Sequence, residues 1–141
     1  MKHIFEQTVY YGDTDAYGVA WHGSYLRWME QARVEFCRDI GIDLVDMRKQ
    51  DVAIPVTNLN IRYKASALLD ERIIIETEIT NMTPIVVQFT QIIKNKESGK
   101  IYTIGTVEVV AVNNNGRIYR RIPEILSAPC ERAWAKEKVN A

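Results

Sequence analysis

The sequence predicts an α+β fold in which one long helix lies across a mostly antiparallel sheet, and three observations carry that prediction. Between Ser24 and Ile40 the apolar residues Tyr25, Met29, Ala32, Phe36 and Ile40 recur at helical steps, which places them on one face. Beyond residue 56 the period falls to two and stays there through four runs, as in strands whose side chains alternate between faces. Short turn-forming clusters separate the later runs and join neighbours as hairpins. A single long helix with such a set of strands is an α+β arrangement.

The elements follow in order. Met1 to Tyr11 reads as a first strand rich in aromatic and β-branched residues. Gly12-Asp13-Thr14-Asp15-Ala16-Tyr17-Gly18 is dense in turn formers and reads as a loop. Ser24 stands where an N-cap would begin the helix, and Gly41 where a left-handed residue would end it. Leu26, Trp28 and Cys37 widen the apolar stripe, while Arg27, Glu30, Gln31, Arg33, Glu35 and Arg38 form a polar side. At 1.5 Å per residue the helix is roughly 25 Å long, enough to cross a sheet. After a linker near Met47 to Asp51, strands are expected at Thr57–Tyr63, Ile73–Ile79, Ile85–Lys94 and Ile101–Val112. Asn81-Met82-Thr83-Pro84 and Asn95-Lys96-Glu97-Ser98-Gly99 are their turns. Gly105 inside a strand marks a bulge or a close backbone approach. Asn113-Asn114-Asn115-Gly116 is a further turn, before a short strand from Arg117 to Ile122 and a C-terminal helical piece broken by Pro129.

Composition narrows the classes. With 141 residues, 47% hydrophobic and 26% charged, the chain is expected to form one globular domain spanning residues 1–141. A chain of this size buries roughly two-thirds of its unfolded surface, so it holds a core without staples. Eighteen basic residues balance eighteen acidic ones, so no overall field draws the protein to nucleic acid. Two cysteines, Cys37 and Cys130, are too few for a disulfide scaffold or a standard zinc site. The first residues lack the apolar run of a signal peptide, and no stretch approaches a membrane span. A reduced, soluble, cytoplasmic protein is the expectation. A five-stranded sheet also leaves an edge strand that needs covering, and dimerisation covers it.

The densest cluster of reactive side chains runs from Tyr10 to Tyr25. Two carboxylates two residues apart, a glycine, and a histidine seven beyond the second carboxylate all precede the helix. A helix start presents unpaired N–H groups that polarise a carbonyl oxygen. A carboxylate held opposite can attack that carbonyl or activate water, and a histidine there can donate a hydrogen bond to the oxygen. The structural alternative is that the aspartates only shape a turn and His22 only helps to cap the helix. Asp13 is assigned to the turn. His3 is expected near a frayed terminus with no role, Cys37 in the core, and Cys130 without a base to activate it. No nucleophile elbow or phosphate-binding glycine loop is present.

The pattern Asp13-x-Asp15-x-x-Gly18-x-x-x-His22-x-x-Tyr25, followed by Glu30-x-Ala32-Arg33, resembles the signature of the 4-hydroxybenzoyl-CoA thioesterase family. Within it the chain is most similar to the YbgC-type acyl-CoA thioesterase branch, through Ile61-Arg62-Tyr63-Lys64-Ala65, Leu69-Asp70-Glu71, Ile79-Thr80-Asn81-Met82 and Phe89-Thr90-Gln91. The likeness spans roughly residues 4 to 113. It implies the hotdog fold, a long helix wrapped by a curved antiparallel five-stranded sheet, in homodimers or homotetramers with sites at the subunit interface. By the same resemblance Asp15 is the catalytic carboxylate, with His22 and Tyr11 as the other catalytic positions. Gly18, Gly23 and Tyr25 are the oxyanion and substrate-binding positions.

The implied activity is hydrolysis of an acyl-CoA to free acid and coenzyme A, with Asp15 as nucleophile or as general base. No cofactor or metal is expected, since a thiolate is a tolerable leaving group. A thioesterase acting on acyl carrier protein, or a silent acyl-binding or assembly module, are the alternatives. Hydroxybenzoyl-specific members carry a basic run where this chain has Met82-Thr83-Pro84-Ile85. Lys64, Lys100, Arg117, Arg120 and Arg121 are the cations left for coenzyme phosphates.

Overall fold

The computed structural model of the chain describes residues 2–140; Met1, expected in the first strand, lies outside them with Ala141. Five strands, β1 (His3–Thr8), β2 (Val56–Tyr63), β3 (Arg72–Met82), β4 (Val86–Asn95) and β5 (Ile101–Val110), form one sheet in the order β1-β3-β4-β5-β2. Every pairing is antiparallel. Three helices accompany it, α1 (His22–Asp39), α2 (Leu44–Lys49) and α3 (Glu124–Asn140). The expected long helix on an antiparallel five-stranded sheet is present.

The period-two runs account for the layer beneath α1. Ile73, Ile75, Thr77 and Ile79 of β3 are buried, as are Val87, Phe89, Gln91 and Ile93 of β4, while the residues between them are part-exposed. The register sets Ile75 against Ile93, Thr77 against Gln91 and Ile79 against Phe89. The stripe Tyr25, Trp28, Met29, Ala32 and Phe36 of α1 lies in the same core, and Phe36 meets Phe89 edge-on at 5.6 Å between centroids. Each buried Ile, Val, Met or Phe among them contributes about 1.5–3 kcal/mol by leaving water.

One polar clamp crosses this apolar layer. Gln91, 0% exposed, donates through Nε2 to the Met29 carbonyl (2.8 Å) and to Thr77 Oγ1 (2.9 Å), and accepts from Arg33 Nη1 (2.9 Å). The sheet thereby holds α1 at a fixed height. Gly105 admits the helix more closely still: a Cβ there would lie 2.6 Å from Met29 Cε. Of the two expected readings of Gly105, close approach is the one observed.

Several boundaries differ from expectation. The first strand ends at Thr8, and Tyr11–Asp13 forms a 3₁₀ turn, because Asp13 folds back to accept the Tyr10 amide at 2.9 Å. The N-cap of α1 is Trp21 rather than Ser24, since the Ser24 hydroxyl donates instead to the Asp13 carbonyl at 2.8 Å. Part of the expected linker is α2, begun by the Asp43 carboxylate accepting from Val45 and Asp46 amides. Between Arg117 and Ile122 there is only an isolated bridge from Ile118 to Val112. Pro129 does not break α3. Leu126, Cys130 and Ala133 recur at i, i+4 and i+7 and are buried in the core; their burial outweighs the roughly 3 kcal/mol that an interior proline costs.

His3 opens β1 instead of fraying. Its Nε2 lies 3.1 Å from Asp39 Oδ2 and its ring stands edge-on to Phe36 at 6.3 Å, tying the first strand to the last turn of α1. The edge strand β2 is different in kind. Seven of its eight residues are exposed, including Val56, Leu59 and Tyr63.

Candidate active site

The loop before α1 is a tight hairpin-like excursion. Thr14 bridges to Ala20, the Asp15 amide donates to the Val19 carbonyl at 2.9 Å, and the Gly18 amide returns to the Asp15 carbonyl at 3.1 Å. Gly18 closes this turn at φ +80°, a conformation that disfavours any side chain. The two carboxylates therefore point to different surroundings. Asp13, 5% exposed, takes the Tyr10 amide and the Arg27 guanidinium. Asp15 is only half-buried and accepts the Tyr17 amide on Oδ1 at 2.8 Å. Its Oδ2 has no partner among the described residues.

Asp15, His22 and Tyr25 share the wall of one cleft of ≈ 390 Å³, completed by Tyr63, Lys64 and Ser66 at the end of β2 and just beyond it. The first turn of α1 lies in this wall. The Ser24 amide is taken by the Trp21 carbonyl at 2.8 Å, whereas the His22 and Gly23 amides have no acceptor among the described residues. These are the orphan donors of a helix start. No side chain caps α1, so the reading of His22 as a capping residue is not what the structure shows. Its imidazole is exposed and stacks obliquely on Trp21, 4.9 Å between centroids. At Gly23 a Cβ would come within 2.2 Å of the Trp21 indole, so a side chain there would have to displace that half-exposed ring.

Tyr25 forms the floor. It is 2% exposed, and its hydroxyl accepts the Ala67 amide at 3.0 Å. Burial raises its pKa, and the Asp15 carboxylate pushes the same way. The Ala67 carbonyl accepts the Ala20 amide at 2.9 Å, so the loop after β2 is sewn to the loop before α1. Glu71 locks that second loop by accepting the Leu68 amide (2.6 Å) and the Tyr102 hydroxyl (2.9 Å).

Asp15, His22 and Tyr25 are thus brought together, with Gly23 in the adjoining turn and Gly18 shaping the loop. Tyr11 is not brought to them: it lies on the 3₁₀ turn, 81% exposed, outside the cleft wall. Tyr63 is the residue that sequence reasoning missed as a site component. It ends an edge strand 41 positions after His22, and its hydroxyl donates to the His22 carbonyl at 2.7 Å. Its place in the Ile61-Arg62-Tyr63 run was the only signal available. The cysteines are inert: burial pushes the Cys37 thiol up to about 11 and the Cys130 thiol up to about 12. Among the described residues no three metal-binding side chains converge, and no helix is long and apolar enough to cross a membrane.

Comparison with known proteins places this fold in a family. Residues 9–133 match the sequence profile of the thioesterase-like superfamily. A putative esterase of Synechocystis sp. is 34% identical over 114 residues, covering 80% of this chain and 69% of its own length. The acyl-CoA thioester hydrolase YbgC of Escherichia coli is 41% identical over 90 residues, 64% of this chain and 67% of its own. Among solved structures, a DHNA-CoA thioesterase from Staphylococcus aureus superposes with a TM-score of 0.85 at 27% identity, over 98% of this chain and 91% of that one. With its hotdog architecture and nearly its whole length accounted for in this way, the chain belongs to the thioesterase-like superfamily.

Proposed function

We propose that this thioester hydrolase acts on acyl-CoA, releasing the free acid and coenzyme A, with Asp15 as its catalytic carboxylate. The observation that carries the reading is the meeting in one cleft wall of a carboxylate oxygen without a partner and an exposed imidazole, beside a helix first turn whose His22 and Gly23 amides are unpaired among the described residues. The thioester carbonyl oxygen accepts from the Gly23 amide and from His22, which takes up the charge that develops on it. Asp15 then either attacks the carbonyl carbon, expelling the thiolate and leaving a mixed anhydride for water to open, or takes a proton from the water that attacks. Both routes end in the same products. Lys64, in the cleft wall, meets the coenzyme's phosphates. The name of the Escherichia coli relative, an acyl-CoA thioester hydrolase, supports coenzyme A as the carrier.

The same reading includes a dimer in the cytoplasm. A second cleft of ≈ 350 Å³, with Val34, Leu44, Ile54 and Val56 among its walls, opens at the other end of β2. Antiparallel pairing of β2 with the β2 of a second copy sets this cleft beside the other copy's Asp15 cleft. The acyl group then has an apolar receptacle that one chain alone does not supply.

Steady-state hydrolysis over a panel of acyl-CoA esters, aliphatic of graded length and aryl, tests the proposal. Turnover is expected for part of the panel, and Asp15→Asn is expected to lower kcat about 10²–10⁴-fold with an unchanged melting profile. Asp13→Asn is expected to shift the melt and to spare most of kcat, since that carboxylate is committed to Tyr10 and Arg27. Equal losses in the two variants overturn the assignment of Asp15.

A further inference from the structure

The contact between Tyr63 and the start of α1 does more than close the cleft wall. The Tyr63 hydroxyl donates to the His22 carbonyl at 2.7 Å. That carbonyl belongs to the same peptide unit as the Gly23 N–H, one of the two amides without an acceptor. A peptide unit is planar and trans, so an anchor on its oxygen sets the direction of its N–H. A donor on the oxygen also polarises the unit and strengthens the N–H as a donor in its turn.

From this geometry we propose that Tyr63 is a positioning residue, whose hydroxyl holds and polarises the His22–Gly23 peptide so that the Gly23 N–H points into the cleft as the carbonyl-oxygen donor. The proposal rests on the thioesterase reading for its catalytic meaning, but the anchoring itself does not. Three features fit it. The Tyr63 ring is fixed edge-on to Tyr25, 5.5 Å between centroids at 72°, so the hydroxyl has a defined place to act from. Both rings line the cleft that Asp15 enters. Gly23 has no side chain of its own in the cleft, and the Trp21 ring lies across its Cα, so what Gly23 offers a ligand at this turn is its backbone N–H. Tyr63 anchors that peptide unit from β2, the strand that a second copy would pair with.

Tyr63→Phe removes the hydroxyl alone and keeps the ring contact with Tyr25. The expected result is a kcat lowered about tenfold, less than for outright loss of an oxyanion donor because the amide remains and only its aim and strength change. KM and the melting profile are expected to stay close to wild type. In the ¹H–¹⁵N NMR spectrum the Gly23 amide is expected to move upfield as its peptide unit loses polarisation. Wild-type kcat in Tyr63→Phe overturns the proposal, and so does a lowered kcat with an unmoved Gly23 amide, which would place the effect elsewhere. If the wild type turned over no thioester, the thioesterase reading would fail on that result alone. The Gly23 shift would then decide the anchoring, since it is read without substrate.

Discussion

Asp13 and Asp15 carry the same carboxyl group two residues apart, and what separates them is which N–H groups reach them. Asp13 is engaged by the Tyr10 amide and Arg27; Asp15 keeps one oxygen without a partner among the described residues. In the sequence it was the resemblance of Asp13-x-Asp15-x-x-Gly18-x-x-x-His22 to a family signature that singled out Asp15, since spacing alone does not separate two carboxylates so close together. His22 is the next residue to test. With no cap to lose, His22→Ala is expected to leave the melt nearly unchanged. Its kcat is expected to fall about 10²-fold, the lower end for one oxyanion donor, since the first-turn amides remain. His22→Asn retains a side-chain donor and is expected to recover part of that loss. Steady-state kinetics beside a thermal melt checks both, and wild-type kcat in His22→Ala would leave Asp15 and the helix start as the whole apparatus. Tyr63 was illegible by comparison. Its partner is a backbone carbonyl 41 positions away, and nothing in local spacing reports a contact that the strand–helix crossing creates.

At the scale of elements, α1, β3, β4 and β5 were legible because each has one buried face, and burial on one face leaves a period in the sequence; β2 carries the same alternation although seven of its eight residues are exposed. α2 left no such trace. It is six residues long, too short for a period, and only the Asp43 cap announces it. The continuity of α3 through Pro129 was hidden for the opposite reason: a strong local rule was outweighed by core contacts that only the tertiary structure supplies. Gln91 is the element-scale feature with the clearest consequence. It sits at an apolar-looking position of β4, yet three hydrogen bonds there join β3, β4 and α1. Gln91→Leu keeps the volume and removes all three, stranding the half-buried Arg33 guanidinium, whose pKa burial already lowers. A loss of about 2–3 kcal/mol is expected, typical of a buried hydrogen bond to a charged group. Urea unfolding at unchanged m-value would register it. A midpoint equal to wild type would show that α1 is held by apolar contact alone.

For the whole molecule, the exposed β2 is the feature that a single chain does not resolve. Its free edge presents unpaired N–H and C=O groups, and Leu59 and Val56 stand beside them half out of water. Such an edge recruits another strand unless a charge or a proline blocks it, and β2 contains one charge, Arg62, near its far end and no proline. The Asp15 cleft lies at one end of this strand and the second cleft at the other, so an isologous pairing about its middle would join each Asp15 cleft to the other copy's apolar cleft. Light scattering is therefore expected to report at least a dimer at micromolar concentration. Leu59→Lys places a charge at the middle of the edge, away from both clefts, and is expected to shift the population to monomer. The monomer retains Asp15, His22 and the α1 start but loses the wall that receives the acyl group, so KM for longer acyl-CoA esters is expected to rise more than kcat falls. A wild-type chain that runs as a monomer would remove this interface. A Leu59→Lys monomer with unaltered KM would place the acyl receptacle within one chain.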